Sequence, residues 1–518
     1  MNKSISATER DELFERFHYS NETKEIILKE DLLPTGLISR LNTVFPEYSG
    51  FREHAEFLFN DKKHYSGLKG FREIVDILQR NNIDIGHIEE RELFIRIYRF
   101  MATKHVLNTI NWSDFSKDSV FQLVFPQPGM VRADITKAYL GMSSEEAREK
   151  LIKDYIRETN PHDGHQKLNK PTYINEDGEL EVVEGSQHKY PQCKLIFDAH
   201  TQNCFAFCNY CFRHAQVRGD EDMFIQENVS EVHMYLRQHR EVTDILITGG
   251  DAGFLRESRF REYITPIIED PALNHIRTIR LGTRVLTYNP ELIITPEYNE
   301  MLELFRKLYD NGIQLVFMSH FSTPRELMNP STVAAIRRLK AHGATVKSQS
   351  PIMNHISLFQ NENGEVDVEK SAKNWIDLGN LFAMLGVGFH SMYCARPTGE
   401  HHYFTQPLAQ IDKVFSRVYR SLASINRPSR YITMTSSAGK ISLLGTVELQ
   451  GKKLFALKFN EGRNMEWMDK VYLAEYDEEE NTIANLKPYG TDRHFYEDEL
   501  IEIENKLHET IETGRKKQ

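Results

Sequence analysis

Three of the five cysteines in this 518-residue chain fall within eight residues: Cys204, Cys208 and Cys211 in NCFAFCNYCFRH, at C-x3-C-x2-C spacing. Thiolate sulfur is a soft ligand, and this spacing lets a short loop curl around one metal centre. A [4Fe-4S] cluster held by three cysteines keeps one iron free of protein ligands and open to a small molecule. Structural zinc is the competing reading, because it wants four ligands and could borrow His200 or His214. A disulfide is disfavoured, since the three residues are crowded and odd in number.

A second chemical signal lies far downstream, where Lys440 follows Ser436, Ser437, Ala438 and Gly439. A lysine displayed by a loop of small residues can form an imine with an aldehyde cofactor, provided its amine loses its proton locally. Met434 stands where a Walker A loop would have its first glycine, which excludes that motif. Between the two signals, Gly249 and Gly250 in TGGDAGF would let backbone groups approach a ligand. Asp251 beside them could fix the turn or accept a bond from the ligand. Arg280 and Arg284 in IRLGTR, His320 in MSHF and Gln349 in SQSP complete the set, and each singly also reads as a structural hydrogen bond or ion pair.

Such residues act together only if a scaffold gathers them. From Lys194 onward, apolar runs alternate with helical patterns, giving candidate strands at Leu195 to Ala199, Asp244 to Thr248, Thr278 to Gly282, Gln314 to Ser319, Ala344 to Ser348, Val387 to Tyr393 and Tyr431 to Thr435. Helical patterns lie between them at Arg256 to Ile268, Glu297 to Asn311, Thr332 to His342 and Leu408 to Ile425. Repeated βα units imply a parallel sheet covered by helices. The chemically able residues sit at strand ends, so the fold class expected is α/β, a partial (β/α) barrel with its site at the C-terminal mouth. This barrel is expected over 191–445. Before it, 1–117 reads as a mostly helical domain with its clearest helix from Ile88 to about Leu107, and 118–190 as an irregular covering segment with a hairpin turn at Glu176, Asp177 and Gly178. After it, 446–518 reads as a β-rich stretch and a helix.

Lys plus Arg total 64 against 75 Asp plus Glu, a net charge of −11, which argues against nucleic acid as the main partner. The longest strongly apolar run, Leu381 to Phe389, has nine residues and cannot span a bilayer. With no apolar signal core at the start, a reducing cytoplasm is expected.

The order of HKYPQCKLIF, the cysteine loop, GGDAG, RLGTR, SHF, SQS and SAGK resembles that in lysine 2,3-aminomutase and its relatives, over roughly Asp118 to Gly445. These are radical S-adenosylmethionine (radical SAM) enzymes. The resemblance implies a radical SAM partial (β/α)6-type barrel, one [4Fe-4S] cluster on Cys204, Cys208 and Cys211, S-adenosylmethionine on the open iron, and pyridoxal 5′-phosphate on Lys440. It implies cofactor contacts from Tyr210, Gly249, Gly250, Asp251, Arg284, His320 and Gln349, and an α-carboxylate grip from Arg213. His188, Lys189 and Tyr190 resemble a His-Arg-Tyr segment near the pyridoxal phosphate, and Lys194 stands where a second basic residue is expected. The implied activity is an amino-acid 2,3-aminomutase, an isomerase that moves an amino group from C2 to C3, with a flavodoxin- or ferredoxin-like electron donor and a homo-oligomeric assembly.

The chain departs from the lysine-specific pattern at two aspartates that hold the distal ammonium of lysine. Ala395 and Thr433 stand at those places, and neither can pair with a buried ammonium. Lysine is therefore disfavoured, and Arg396 points instead to a side-chain carboxylate, as in glutamate or another acidic amino acid. The zinc-binding cysteines of some relatives are missing, since only Cys193 and Cys394 remain outside the loop. Two other readings stay open: a radical SAM modifier of a peptide or protein-bound residue, and a zinc-stabilised binding protein.

Overall fold

Eleven strands form one open sheet whose spatial order follows the chain from one edge to the other. They are β1 (Ser186–Tyr190), β2 (Cys193–Phe197), β3 (Asp244–Thr248), β4 (Thr278–Thr283), β5 (Gln314–Ser319), β6 (Thr345–Ile352), β7 (Gly388–Cys394), β8 (Ile432–Thr435), β9 (Gly439–Leu449), β10 (Lys452–Gly462) and β11 (Val471–Glu475). Strands β2 to β8 pair in parallel, each with the next. The other pairs, β1 with β2 and β8 through β11, are antiparallel. The computed structural model describes residues 7–48, 57–159, 166–219, 223–429, 431–468 and 470–515.

Each parallel step needs a crossover, and six helices supply them: α1 (Val229–Gln238), α2 (Glu257–Glu269), α3 (Asn299–Asp310), α4 (Pro330–Ala341), α5 (Val368–Leu385) and α6 (Leu408–Ser421). Their apolar residues recur at helical spacing. In α6, Ile411, Val414, Phe415 and Val418 are buried while Arg417 and Arg420 face water. Helix α5 starts where the Asp367 carboxylate accepts from the Lys370 amide and stops at Gly386, whose φ of 65° suits glycine. The result is a partial (β/α)6 barrel, as expected, left open and extended at both edges by antiparallel strands.

The regions before the barrel differ from their expected form at two places, and one is the segment expected to be irregular, which holds helices at Ser119–Val124, Ala133–Gly141 and Glu145–Glu158. The helix expected from Ile88 to Leu107 ends at Ile97, and Met101–Thr103 becomes a strand paired with His64–Ser66. Thr103 then caps a separate short helix, Lys104–Thr109, by accepting from the Val106 amide. This kink serves the cysteine loop, because the Phe207 amide donates to the Met101 carbonyl at 2.9 Å. The Asn209 amide donates to the Leu123 carbonyl, also at 2.9 Å, and the Arg218 guanidinium to the Ile97 carbonyl.

The expected hairpin is present as Thr172–Ile174 against Leu180–Val182, and the terminal helix Glu497–Arg515 packs back on it. One hydrophobic core runs from the N-terminal helices through the barrel to the β9–β11 extension. Among the described residues, no helix is long and apolar enough to cross a membrane.

Candidate active site

Two cavities, of about 180 and 160 Å3, open against each other inside the barrel mouth. They share a wall of Tyr210, Phe212, Arg213, Leu246, His320 and Gln349. The smaller lobe is lined by Cys204, Cys208 and Cys211, by Gly249, Gly250 and Asp251, and by Arg284. The larger holds Lys440, Tyr190, Ala395 and Arg396. The parallel strands, joined by antiparallel β1 with Tyr190 and β9 with Lys440, bring these groups to one mouth, which is where such folds bind ligands.

In the smaller lobe the glycines serve close packing as well as ligand access. A side chain at Gly250 would meet the Asn203 carbonyl oxygen at 2.6 Å and Cys204 Sγ at 3.0 Å, so the GGDAG turn presses directly on the cysteine loop. Gly249 has a φ of 148°, and a side chain there would collide with Thr201. Asp251 fixes the turn: its carboxylate accepts from the Gly253 and Arg284 amides at 2.8 and 3.0 Å and from the Thr283 hydroxyl. Burial raises its pKa to about 6.

Arg284 is buried and paired, donating to Glu326 at 2.7 Å and to the Tyr210 hydroxyl at 2.8 Å. The Tyr288 hydroxyl lies 2.9 Å from Cys208 Sγ. Burial pushes all three thiols up, Cys211 to about 12, so each needs a bound cation to become the thiolate that ligates metal. Tetrahedral zinc, with Zn–S of about 2.3 Å, needs sulfurs about 3.8 Å apart. Among the described residues, no three ligand atoms of Cys204, Cys208, Cys211, His200 and His214 gather within 4.8 Å of one another. Three soft thiolates from one short loop suit an iron-sulfur cluster that keeps one iron free of protein ligands.

Arg213, on the shared wall, is the most exceptional group. Its Nη1 is buried with no hydrogen-bond partner, and its guanidinium lies on the Phe197 and Phe212 rings at 4.6 and 5.2 Å. Burial, then the charge of Arg396, lowers its pKa to about 10. An unpaired buried guanidinium is costly and becomes favourable once an anion arrives. His320 on the same wall is held neutral, its pKa lowered by burial to about 3.

In the larger lobe, Lys440 lies opposite Glu461 in the β9–β10 ladder, and the two side chains form an ion pair. Burial opposes the charge on Lys440, yet Tyr393, Glu461 and Tyr190 outweigh it and hold the ammonium above the usual lysine range. Tyr190 lies beneath, with Lys440 Nζ 5.0 Å from its ring centre and its own hydroxyl buried and unpaired.

Behind Lys440, the Lys189 ammonium donates to the Ser436 carbonyl, and Arg463 Nε donates to the Ser437 carbonyl at 2.9 Å. Burial and then Arg463, Arg396 and Lys440 push the Lys189 pKa well down. That crowd of cations around two serines suits a phosphate, so the corner fits a phosphorylated aldehyde held by Lys440. Glu461 and Arg463 escaped the sequence reading, because the ladder register that places them is a long-range property.

Three expected contacts lie elsewhere. Along β2, Cys193 and Leu195 line the cavity, and period-two alternation turns Lys194 to the opposite face, fully buried with its Nζ 3.7 Å from the Tyr235 ring centre. His188 also faces away, bonded to the Tyr235 hydroxyl and the Pro191 carbonyl. Thr433 lies one strand repeat below the cavity-lining Thr435, its hydroxyl buried and unpaired. Ala395 and Arg396 both line the cavity, and the Arg396 guanidinium sits 4.8 Å from the Phe212 ring centre. None of the described lining residues of this lobe is Asp or Glu.

No family model matches the chain. An Aquifex aeolicus protein named "Putative L-lysine 2,3-aminomutase" is 28% identical over 267 residues, covering 51% of this chain and 66% of that one. A "Glutamate 2,3-aminomutase" of Clostridioides difficile is 29% identical over 37% of this chain and 44% of its own length. An "L-lysine 2,3-aminomutase" of Clostridium subterminale is 27% identical over 34% and 39%. The matches thus span 39 to 66% of these relatives' lengths. Among solved structures, a radical SAM methyltransferase from Sphaerobacter thermophilus covers 51% of this chain and 76% of its own at 14% identity, with a TM-score of 0.30, too loose to argue from.

Proposed function

We propose that this chain, which belongs to the lysine 2,3-aminomutase family, is a radical SAM, pyridoxal-phosphate-dependent isomerase that moves the amino group of an acidic α-amino acid from C2 to C3. One observation carries the reading: Arg213, whose Nη1 is buried without a partner, stands on the wall shared by a cysteine-lined lobe and a lysine-bearing lobe. When bound, S-adenosylmethionine on a [4Fe-4S] cluster supplies a hydrogen-abstracting 5′-deoxyadenosyl radical, and pyridoxal phosphate supplies the π-system across which nitrogen moves.

The protein's own part is positioning and shielding. Arg213 receives the substrate α-carboxylate through its planar fork, which holds the adjacent carbons at the boundary between the lobes. Phe212 and Leu246 on the same wall keep water and stray hydrogen donors away from a radical. Lys440 must lose a proton before it can hold an aldehyde, and Glu461, in contact with its Nζ, is placed to take it. Lys189 and Arg463 supply the positive charge for a phosphate.

The acidic substrate follows from charge. A lobe with Arg396 and without a lining carboxylate repels a distal ammonium and accepts a second carboxylate. Arg396 has no ion-pair partner among the described residues, whereas Arg280 is bound to Asp244 at 2.7 Å. A flavodoxin- or ferredoxin-like reductant, a cytoplasmic setting and a homo-oligomeric assembly belong to the same proposal.

The test is anaerobic: protein reconstituted with iron and sulfide, given S-adenosylmethionine, pyridoxal phosphate and reductant, then a pool of α-amino acids, with β-isomers read by mass spectrometry. The expected product is a β-amino dicarboxylate that disappears in Lys440→Ala. Lysine as sole substrate would overturn the acidic assignment, and turnover unaffected by Lys440→Ala would overturn the aminomutase.

A further inference from the structure

His188 is turned away from the cavity, and it meets a second histidine and a carboxylate there. His239 follows α1, and Glu241 comes two residues later, in the turn that leads into β3. One ligand atom from each of His188, His239 and Glu241 lies within 4.8 Å of the other two. Ligands of a tetrahedral zinc at about 2.0–2.1 Å stand about 3.4 Å apart, so closing the triad takes shifts of about 1 Å. His239 and Glu241 can make them, since their side chains are 31% and 48% exposed.

The surroundings match a ligating histidine. Metal-bound imidazole ordinarily keeps its second nitrogen in a hydrogen bond that fixes the ring. His188 Nε2 donates to the Pro191 carbonyl at 3.1 Å, which holds the ring and leaves Nδ1 as the ligating nitrogen, the metal taking the place there of the Tyr235 hydroxyl. His239 Nδ1 is already 2.8 Å from Glu241. The Tyr235 ring stacks on His239 at 4.0 Å and 14°, while Lys194 Nζ lies 3.7 Å from the same ring centre. Both cannot occupy one face, so the ring separates the lysine ammonium from the triad.

We propose that His188, His239 and Glu241 form a second metal site for one divalent cation of the zinc class, with water in the fourth position, clipping β1 to the turn before β3. The site is independent of the cysteine loop and of the reaction assigned above. The clip would steady the strand that carries Lys189 and Tyr190 on its next two positions.

The experiment uses the full-length, cluster-reconstituted protein equilibrated with Zn2+, then passed through a desalting column. Metal content and the zinc X-ray absorption edge are read for wild type, His239→Ala and Glu241→Ala. Wild type should retain one zinc per chain with nitrogen and oxygen neighbours only. Each variant should bind zinc more weakly by over ~10-fold, the loss expected even for an outer-shell partner. No retained zinc in wild type, sulfur neighbours at the zinc, or retention equal to wild type in either variant would overturn the site.

Discussion

At the residue scale, Arg213 and Arg396 stand without ion-pair partners among the described residues, in a site whose other charges, Arg284, Arg280 and Lys440, are paired. Arg396 tests the proposed acidic substrate most directly, because on that proposal it meets the part of the substrate that does not react. Replacing it with Met keeps the apolar stem against Phe212 and removes the charge. A charge-assisted hydrogen bond contributes about 1.5–3 kcal/mol, so kcat/KM for an acidic substrate should fall about 10- to 100-fold, and mostly through KM. A neutral amino acid of similar length should lose nothing. A second prediction concerns Glu461, whose charge helps hold the Lys440 ammonium. In Glu461→Gln the pKa of Lys440 falls, so the amine becomes neutral at lower pH. Titrating pyridoxal phosphate retention by absorbance should show its pH threshold moved downward, with retention slowed because the nearby proton acceptor is gone. An unchanged threshold would leave Glu461 without this role.

At the element scale, strand geometry decides which sequence readings hold. The cysteine spacing, the glycine turn and the lysine loop were legible because each is a local pattern complete within a few residues. The bounds expected for β3 and β5 agree with those observed, since DILIT and QLVFMS are compact apolar runs. Lys194 was misplaced because a one-residue choice on a strand exchanges faces, and β2 presents Cys193 to the cavity instead. The helix expected to reach Leu107 broke because Met101–Thr103 found a partner strand nearly 40 positions earlier, a pairing no local pattern announces. The contact between the glycine turn and the cysteine loop gives the prediction that belongs here. Gly250→Ala would set a methyl group 2.6 and 2.8 Å from Asn203 backbone atoms, which cannot give way as a side-chain tip can. Overpacking of this kind costs about 1–3 kcal/mol, and the cheapest relief moves Asn203 and Cys204. The variant should fold but take up less iron on reconstitution and show a weakened cluster signal by electron paramagnetic resonance.

At the scale of the whole molecule, the N-terminal region is bound to the chemistry from two sides. It holds the cysteine loop through the Met101 and Leu123 carbonyls, and it holds the loop after β7 through Glu400. That carboxylate is 2% exposed and accepts from the Tyr98 hydroxyl at 3.0 Å and from the Tyr155 hydroxyl at 2.9 Å, while His402 lies 3.7 Å away. The same loop carries Arg396, Thr398 and His401 into the larger lobe. Burial raises the Glu400 pKa from 4.5 to about 7, against the opposing pull of both tyrosines and Arg132. The folded protein therefore keeps a proton on Glu400 over a range in which the unfolded chain has released it. The native state is favoured at the acid end of that range, and the advantage is lost as pH rises from about 4.5 through 7. The full difference is about 3 kcal/mol as an upper bound. Glu400→Gln keeps the acceptor oxygen and cannot ionise, so denaturant midpoints measured from pH 5 to 8 should decline in wild type and show a flatter profile in the variant. The loop that carries Arg396 should follow the same curve, with protection of its amides from hydrogen exchange falling above neutrality in wild type alone. Equal slopes in the two proteins would mean that Glu400 stays ionised in its tyrosine pocket and that the junction between the N-terminal region and the barrel is insensitive to pH.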